Sequence, residues 1–297
     1  MNVFRLTAAA SALFLFAASL SALPTHTWVS ANGNDANSGT AVSPYADFVT
    51  AVANTAPGGI VSVIGPGDYG SVTISQSITI DGTNGGSIGF TGGEGIFISA
   101  GTNANIVLRN LTINGEGVGA DAIFIASGGT TNIINVVIDG CHIEGFTQIG
   151  VGLGSESPMY VTVRNTTIQG GEIGVRTFQN GTTTPVTNDD HVSLDHVTIQ
   201  GATVAGVFTR NGNMDISNSN ITGTLGSGSY IAGIEADTYA TVNVQNSMIT
   251  SNEEGICIFA NSTAILNNTT VADNSTTVAA CGGVVSGIAA AGPSPKL

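Results

Sequence analysis

An octet of the form apolar–polar–Asn–any–Thr–apolar–polar–small recurs seven times, and nothing else in the chain restricts the fold as strongly. It reads LRNLTING at 108–115, IDGCHIEG at 138–145, VRNTTIQG at 163–170 and LDHVTIQG at 194–201. It continues as ISNSNITG at 216–223, VQNSMITS at 244–251 and LNNTTVAD at 266–273. Its sixth positions are Ile113, Ile143, Ile168, Ile199, Ile221, Ile249 and Val271, spaced by 30, 25, 31, 22, 28 and 22 residues. A period of about 26 marks a repeat architecture, in which each unit buries its apolar face only by stacking on the next.

Each unit holds three short strands. Around Asn165, residues 160–164 alternate apolar and polar, which is the pattern of a strand with one buried face. Asn165 follows as a bend, 166–168 as a second strand, and 174–177 as a third. No segment is long enough for a regular crossover helix, so ordinary βαβ units are excluded. Three strands per coil, each pairing with its equivalent about 4.8 Å along the axis, predict an all-β solenoid, a parallel β-helix of about eight coils.

The bend explains the Asn. A one- or two-residue corner requires a positive φ, which Asn tolerates better than other residues bearing a side chain. The corner column is Asn110, Gly140, Asn165, His196, Asn218, Asn246 and Asn268. Gly140 suits the same conformation, and stacked Asn side chains are expected to hydrogen-bond from coil to coil. Several N-x-T glycosylation triplets, at Asn110, Asn165 and Asn268 among others, follow from the repeat itself.

Upstream, residues 44–55 place Phe48, Val49 and Val52 on one helical face, with Pro44 suited to the first turn. A short N-terminal capping helix is expected there. The chain divides into an export signal (1–23), an N-terminal cap with the first coils (24–80), the β-helix repeats (81–286) and an Ala/Gly/Pro-rich tail (287–297). The signal reading rests on Arg5, the uncharged run 6–20 and the small residues Ser19, Ser21 and Ala22. That run is short for a membrane span, so a secreted, periplasmic or cell-surface protein is expected.

With 6 basic against 20 acidic residues and net charge −14, the chain has no basic patch for nucleic-acid phosphates. It also repels acidic polymers unless a divalent cation bridges them. Cys141 falls in the core repeat and reads as a small buried hydrophobe. Cys257 and Cys281 fall in neighbouring repeats, and they read either as free thiols or as the disulfide that suits an exported protein.

The repeat resembles the right-handed parallel β-helix proteins of the pectin-lyase-like superfamily. The opening TWVSANGNDANSGTAVSPYADFVTAVANTAPGGIVSVIGPGDYG resembles the leader of uncharacterised bacterial exported members, with its strand, Gly/Asn/Asp loop, Pro-started helix and P-G-x-Y turn. The resemblance implies a substrate groove on the outer face of one sheet, formed here by the Gly-[Ile/Val]-x-apolar strand that follows each octet. Alternation along those strands turns outward Phe97, Phe124, Gly152, Arg176, Phe208, Glu235 and Cys257 in one row. In the second outward row stand Ser99, Ala126, Gly154, Phe178, Arg210, Asp237 and Phe259.

Aromatic rings stack on apolar sugar faces, and Arg binds carboxylates or hydroxyls. Arg176, Phe178, Phe208 and Arg210 are therefore candidate substrate-binding residues. Glu235 and Asp237 are candidate catalytic acids, or ligands of a cation such as Ca²⁺. They lie two residues apart, roughly 6.6 Å along a strand, compatible with inverting hydrolysis. The same column reads alternatively as surface ion pairs, Arg210–Asp237 and Arg176–Glu235, with Phe side chains packed under loops. A second cluster, Asp189, Asp190 and His191 with Asp195 and His196, offers candidate metal ligands or proton carriers, against a reading as a solvated loop end.

Glu144, Glu156, Glu172, Glu253 and Glu254 read as solvating loop residues. The superfamily's R-x-P-x-x-R, G-H-G, R-I-K and D-P-x-D signatures are absent, so its best-known activities do not carry over residue by residue. Two functions remain. One is an exported protein that binds, or binds and cleaves, polysaccharide or a cell-surface glycan, in the second case as a polysaccharide lyase or glycoside hydrolase. The other is a non-catalytic adhesion or structural rod, whose open coil end favours a covering tail, a partner or end-to-end self-association.

Overall fold

The computed structural model describes residues 22–101, 103–126, 133–154, 159–178, 190–227, 231–279 and 281–287. The segment 1–21, Asp189 and the tail beyond 287 lie outside the described residues. The chain is a right-handed parallel β-helix with three parallel sheets of eleven, nine and nine strands. The first sheet carries the strands that enter each octet, such as Met159–Arg164. The second carries the strands that leave it, such as Thr167–Gln169. The third carries the Gly-started strands, such as Ile173–Phe178.

Register follows the octet. Ile113, Ile143, Ile168, Ile199, Ile221, Ile249 and Val271 pair in sequence as one interior column. All seven are buried. The unequal coil lengths are absorbed outside this frame, in the connections between strands. The first sheet starts earlier than the first octet, with His26–Val29, Gly59–Val63 and Ile78–Asp81. Those early coils turn corners with other sequences, which is why the octet does not reveal them.

The N-terminal helix is shorter than expected, Phe48–Ala53. Asp47, not Pro44, begins it: the Asp47 carboxylate accepts from the Thr50 N–H at 2.7 Å, an ordinary N-cap. Phe48, Ala51 and Val52 face the core and Val49 faces solvent, which corrects the expected apolar face.

The corner column has the conformation its composition requires. Asn110, Asn165, His196, Asn218, Asn246 and Asn268 have φ between 47° and 56°, and Gly140 has φ 64°. The expected Asn-to-Asn ladder is only partly formed. Asn268 Nδ2 donates to Asn246 Oδ1 at 2.8 Å. Asn165 donates instead to Asp139, and Asn218 to Asp195. The preceding corners there are Gly140, which has no side chain, and His196, so the adjacent Asp is the nearest acceptor.

Those aspartates belong to a column of alternating charge along the first sheet: Asp81, Arg109, Asp139, Arg164 and Asp195 are consecutive register partners. Each Arg reaches back one coil, Arg109 to Asp81 at 2.8 Å and Arg164 to Asp139 at 2.9 Å. Burial raises the Asp81 pKa, but the Thr83 and Arg109 hydrogen bonds outweigh it and leave the carboxyl below its usual range. The Asn165 hydrogen bond does most to lower Asp139. Exposed pairs of this kind contribute at most about 1 kcal/mol each, and the column's larger effect is to disfavour a one-coil slip that would place like charges together.

Asn165→Val should therefore cost about 1–2 kcal/mol, because a β-branched side chain is strained at φ 51°. Asn165→Gly should cost less than half as much. Urea unfolding of the two variants checks this, and equal losses would show that the corner conformation is not the reason for Asn.

Candidate functional site

The third sheet brings the predicted residues into the two rows that alternation required. Gly152, Arg176, Phe208, Glu235 and Cys257 are successive register partners. So are Gly154, Phe178, Arg210 and Asp237. The interior positions between them, Val175, Val207 and Ile234, are fully buried, as are Thr177 and Thr209, whose hydroxyls bond each other at 2.8 Å.

At the centre, Phe178 lies between two guanidinium groups. Arg176 and Arg210 stand 5.6 and 5.4 Å from its ring centroid, within cation–π range. Arg210 Nε also meets Asp237 Oδ2 at 3.5 Å, the expected ion pair. Arg176 does not pair with Glu235. Burial lowers its pKa, and the charges of Asp121 and Glu172 oppose that effect. Asp121 accepts from the Ile149 N–H at 3.1 Å, and burial raises its pKa.

Glu235 differs from the expectation of an exposed carboxylate. It is on the outer face, yet only 8 % exposed, between Phe208 and Cys257 in its row. Burial pushes its pKa up to about 7, and the charges of Asp237 and Glu254 add to the rise. Near neutral pH Glu235 is thus about half protonated, and it stands two residues from Asp237, which Arg210 holds.

The sequence alone places Glu254 in a solvating loop. It is instead the first residue of the strand Glu254–Ile258, and its Oε2 is buried without a hydrogen-bond partner. Burial, then the charge of Glu253, raises its pKa. Glu94, Asp121 and Glu254 occupy the slot immediately before the strand's small residue, at 95, 122 and 255. That common slot was the available sequence signal. Glu254 also lies beside Cys257 and Cys281, which form a disulfide with Cα atoms 5.6 Å apart, so the sulfurs are not thiolate ligands. Cys141 is free and buried, and burial raises its pKa to about 11.

The second candidate cluster is divided by strand alternation. Asp190 is 0 % exposed and accepts from the Met159 N–H at 3.1 Å. His191 faces outward, 3.2 Å from Asp215, while His196 sits at a corner 3.1 Å from Asp195. Asp190 and His191 thus take opposite faces of the first sheet and do not share a ligand. Asp215 also lines a groove of about 490 Å³ on that sheet with Ser193, Asn243 and Ile265, separate from the Arg176–Asp237 face.

Towards the N-terminal end of the third sheet the outer face becomes aromatic. Phe97 and Phe124 are register partners with rings 6.2 Å apart and 6° from parallel. Phe124 leans over the next coil, where Gly152 and Gly154 leave room for it. A Cβ at Gly154 would lie 2.6 Å from the ring, and one at Gly152 3.0 Å.

No protein-family model and no curated protein matches the sequence. Among solved structures, the chain is similar to the pectate lyase Pel9A, with 13% identity and TM-score 0.61 over 90% of this chain and 77% of that one. It is also similar to an alginate lyase from Paenibacillus sp. str. FPU-7, with 14% identity and TM-score 0.52 over 80% of this chain and 94% of that one. At such identities the likeness establishes the fold alone, a parallel β-helix.

Proposed function

We propose that this protein is exported and binds polysaccharide along the outer face of the third sheet, with Glu235 and Asp237 performing acid–base cleavage. The observation that carries the reading is the environment of Glu235: a carboxyl raised to about 7 and two residues from a second carboxyl on the same strand. A protonated carboxyl near its own pKa can donate to a glycosidic oxygen, while its charged neighbour activates water or stabilises developing positive charge. Arg176 and Arg210, fixed against Phe178, orient hydroxyls or carboxylates of the bound chain. The low exposure of Glu235 favours proton transfer over substrate capture as its role.

Glu235 and Asp237 do not fit a calcium ion: among the described residues their oxygens do not converge with those of Glu254 closely enough to share one. A second reading, a non-catalytic surface rod, is favoured by one observation: Arg210 already pairs with Asp237, as in a structural surface.

Reducing-end and unsaturated-product assays on a polysaccharide panel, with and without Ca²⁺, separate the two. The catalytic reading expects products from the wild type and at least a 100-fold loss in Glu235→Gln with binding retained. It expects about a tenfold weaker binding in Arg210→Ala. Binding without any product leaves the rod reading, and neither binding nor product rejects the polysaccharide assignment.

A further inference from the structure

The aromatic end of the third sheet has no role in the chemistry described above, yet it lies on the same outer row. Phe97, Phe124, Gly152, Arg176, Phe208 and Glu235 follow one another coil by coil. Five coil steps put Phe97 about 24 Å from Glu235 along the axis. Each step is close to the length of one pyranose residue, so a glycan laid along the axis meets one row position per sugar.

Phe97 and Phe124 are only partly buried, and their rings are parallel. The two glycines of the next coil let the Phe124 ring lean over the sheet instead of standing up from it. Were the rings merely core cover, the coil beneath would have no need to give up its side chains at both outward positions. Two parallel, partly exposed rings on the outer face of a sheet offer aromatic surface on which the apolar face of a sugar can stack.

Charge selects the kind of sugar. On this face Glu94, Asp121, Asp237 and Glu254 outnumber Arg176 and Arg210, and both guanidiniums are already directed at Phe178 and at acidic neighbours. A polymer carrying a carboxylate on every residue would meet net repulsion along most of its length. An uncharged chain would not.

We propose that the third sheet binds an uncharged glycan chain running along the helix axis, with Phe97 and Phe124 forming a sugar-stacking subsite remote from Glu235. This deepens, and rests on, the polysaccharide-binding reading above.

Titration calorimetry of the full chain tests it, using neutral gluco-, manno- and xylo-hexasaccharides and, as acidic probes, hexagalacturonate and an alginate hexamer, each with and without Ca²⁺. The expected result is that a neutral hexasaccharide binds more tightly than either acidic one. Its trisaccharide should bind at least tenfold more weakly. Phe97→Ala and Phe124→Leu should each weaken the hexasaccharide by about tenfold, whereas Phe124→Tyr keeps the affinity. Phe124→Leu keeps an apolar cover over Gly152 and Gly154, and unchanged thermal unfolding separates lost stacking from lost fold. Preferred binding of the acidic probes overturns this inference while leaving the polysaccharide reading intact. Neutral binding with full affinity in both the Phe97→Ala and Phe124→Leu variants overturns the subsite. Absence of binding to every probe overturns the polysaccharide reading and this inference with it.

Discussion

Glu235→Gln is expected to stabilise the protein by about 3 kcal/mol at pH 8 and to leave it nearly unchanged at pH 4. In the unfolded chain this carboxyl loses its proton near 4.5, whereas in the folded chain it keeps it to about 7. Between those values the folded state holds more protons than the unfolded state, so raising the pH destabilises the fold. The contribution of the buried neutral acid is complete below pH 4.5 and is lost as pH rises through 7. The difference between 4.5 and about 7 corresponds to about 3 kcal/mol, or several degrees in melting temperature for a chain of this size. A Gln at 235 has no such titration, so its curve should separate from wild type progressively across that window. Parallel melting curves of the two proteins from pH 4 to 8 would show that Glu235 is ordinarily solvated, and would remove the basis for its role as an acid. If the catalytic reading holds as well, the same substitution gains stability at neutral pH while losing turnover, as expected where a group is kept in an unfavourable environment for function.

Loss of the Cys257–Cys281 disulfide is expected to cost about 3 kcal/mol, because the bond closes a loop with a sequence separation of 24. Cys257→Ala with Cys281→Ala is the suitable variant, since Cys257 is completely buried and Ser would leave a hydroxyl there. The bond ties the strand Glu254–Ile258 to the chain just beyond Thr276–Ala279, at the last coil. In the described residues, Thr270–Ala272, Thr276–Ala279 and Val284–Ser286 are the terminal strands of the three sheets. Solenoid coils are held mainly by their neighbours, so the terminal coil frays most readily when a restraint is removed. Hydrogen exchange should therefore rise in the strands Thr263–Asn267, Thr270–Ala272 and Val284–Ser286 in the double variant or after dithiol reduction, while central strands such as Ile134–Asp139 and Met159–Arg164 stay protected. A double variant within about half a kcal/mol of wild type, with unchanged exchange at this end, would show that the disulfide does not restrain the coil.

The fold was legible because its determinants are local and repeated. A corner at positive φ accepts few residue types, so Asn and Gly mark it in nearly every coil, and even His196 at that position has φ 54°. Counting forward from each corner then locates the third strand, because side-chain alternation has a fixed period of two. The register pairs Arg176–Phe208–Glu235 and Phe178–Arg210–Asp237 follow from that count. The early coils were not legible as octets, because they turn their corners with other residues. Asp190 and His191 were separable from sequence by parity alone, and the structure places them on opposite faces accordingly.

The sequence by itself thus determined the coil, the corner and the list of side chains on the outer face. Only the tertiary structure decided what those side chains meet. Whether Glu235 is wet or buried, whether Arg176 turns to Glu235 or towards Asp121, and whether Phe124 stands up or leans over Gly152 and Gly154 each depend chiefly on residues of other coils, remote in sequence. Strand periodicity says which face a side chain takes. Burial, pKa and ring orientation are set by what the adjacent coils place around it, and that depends on side-chain size and connection path, which carry no periodic signal.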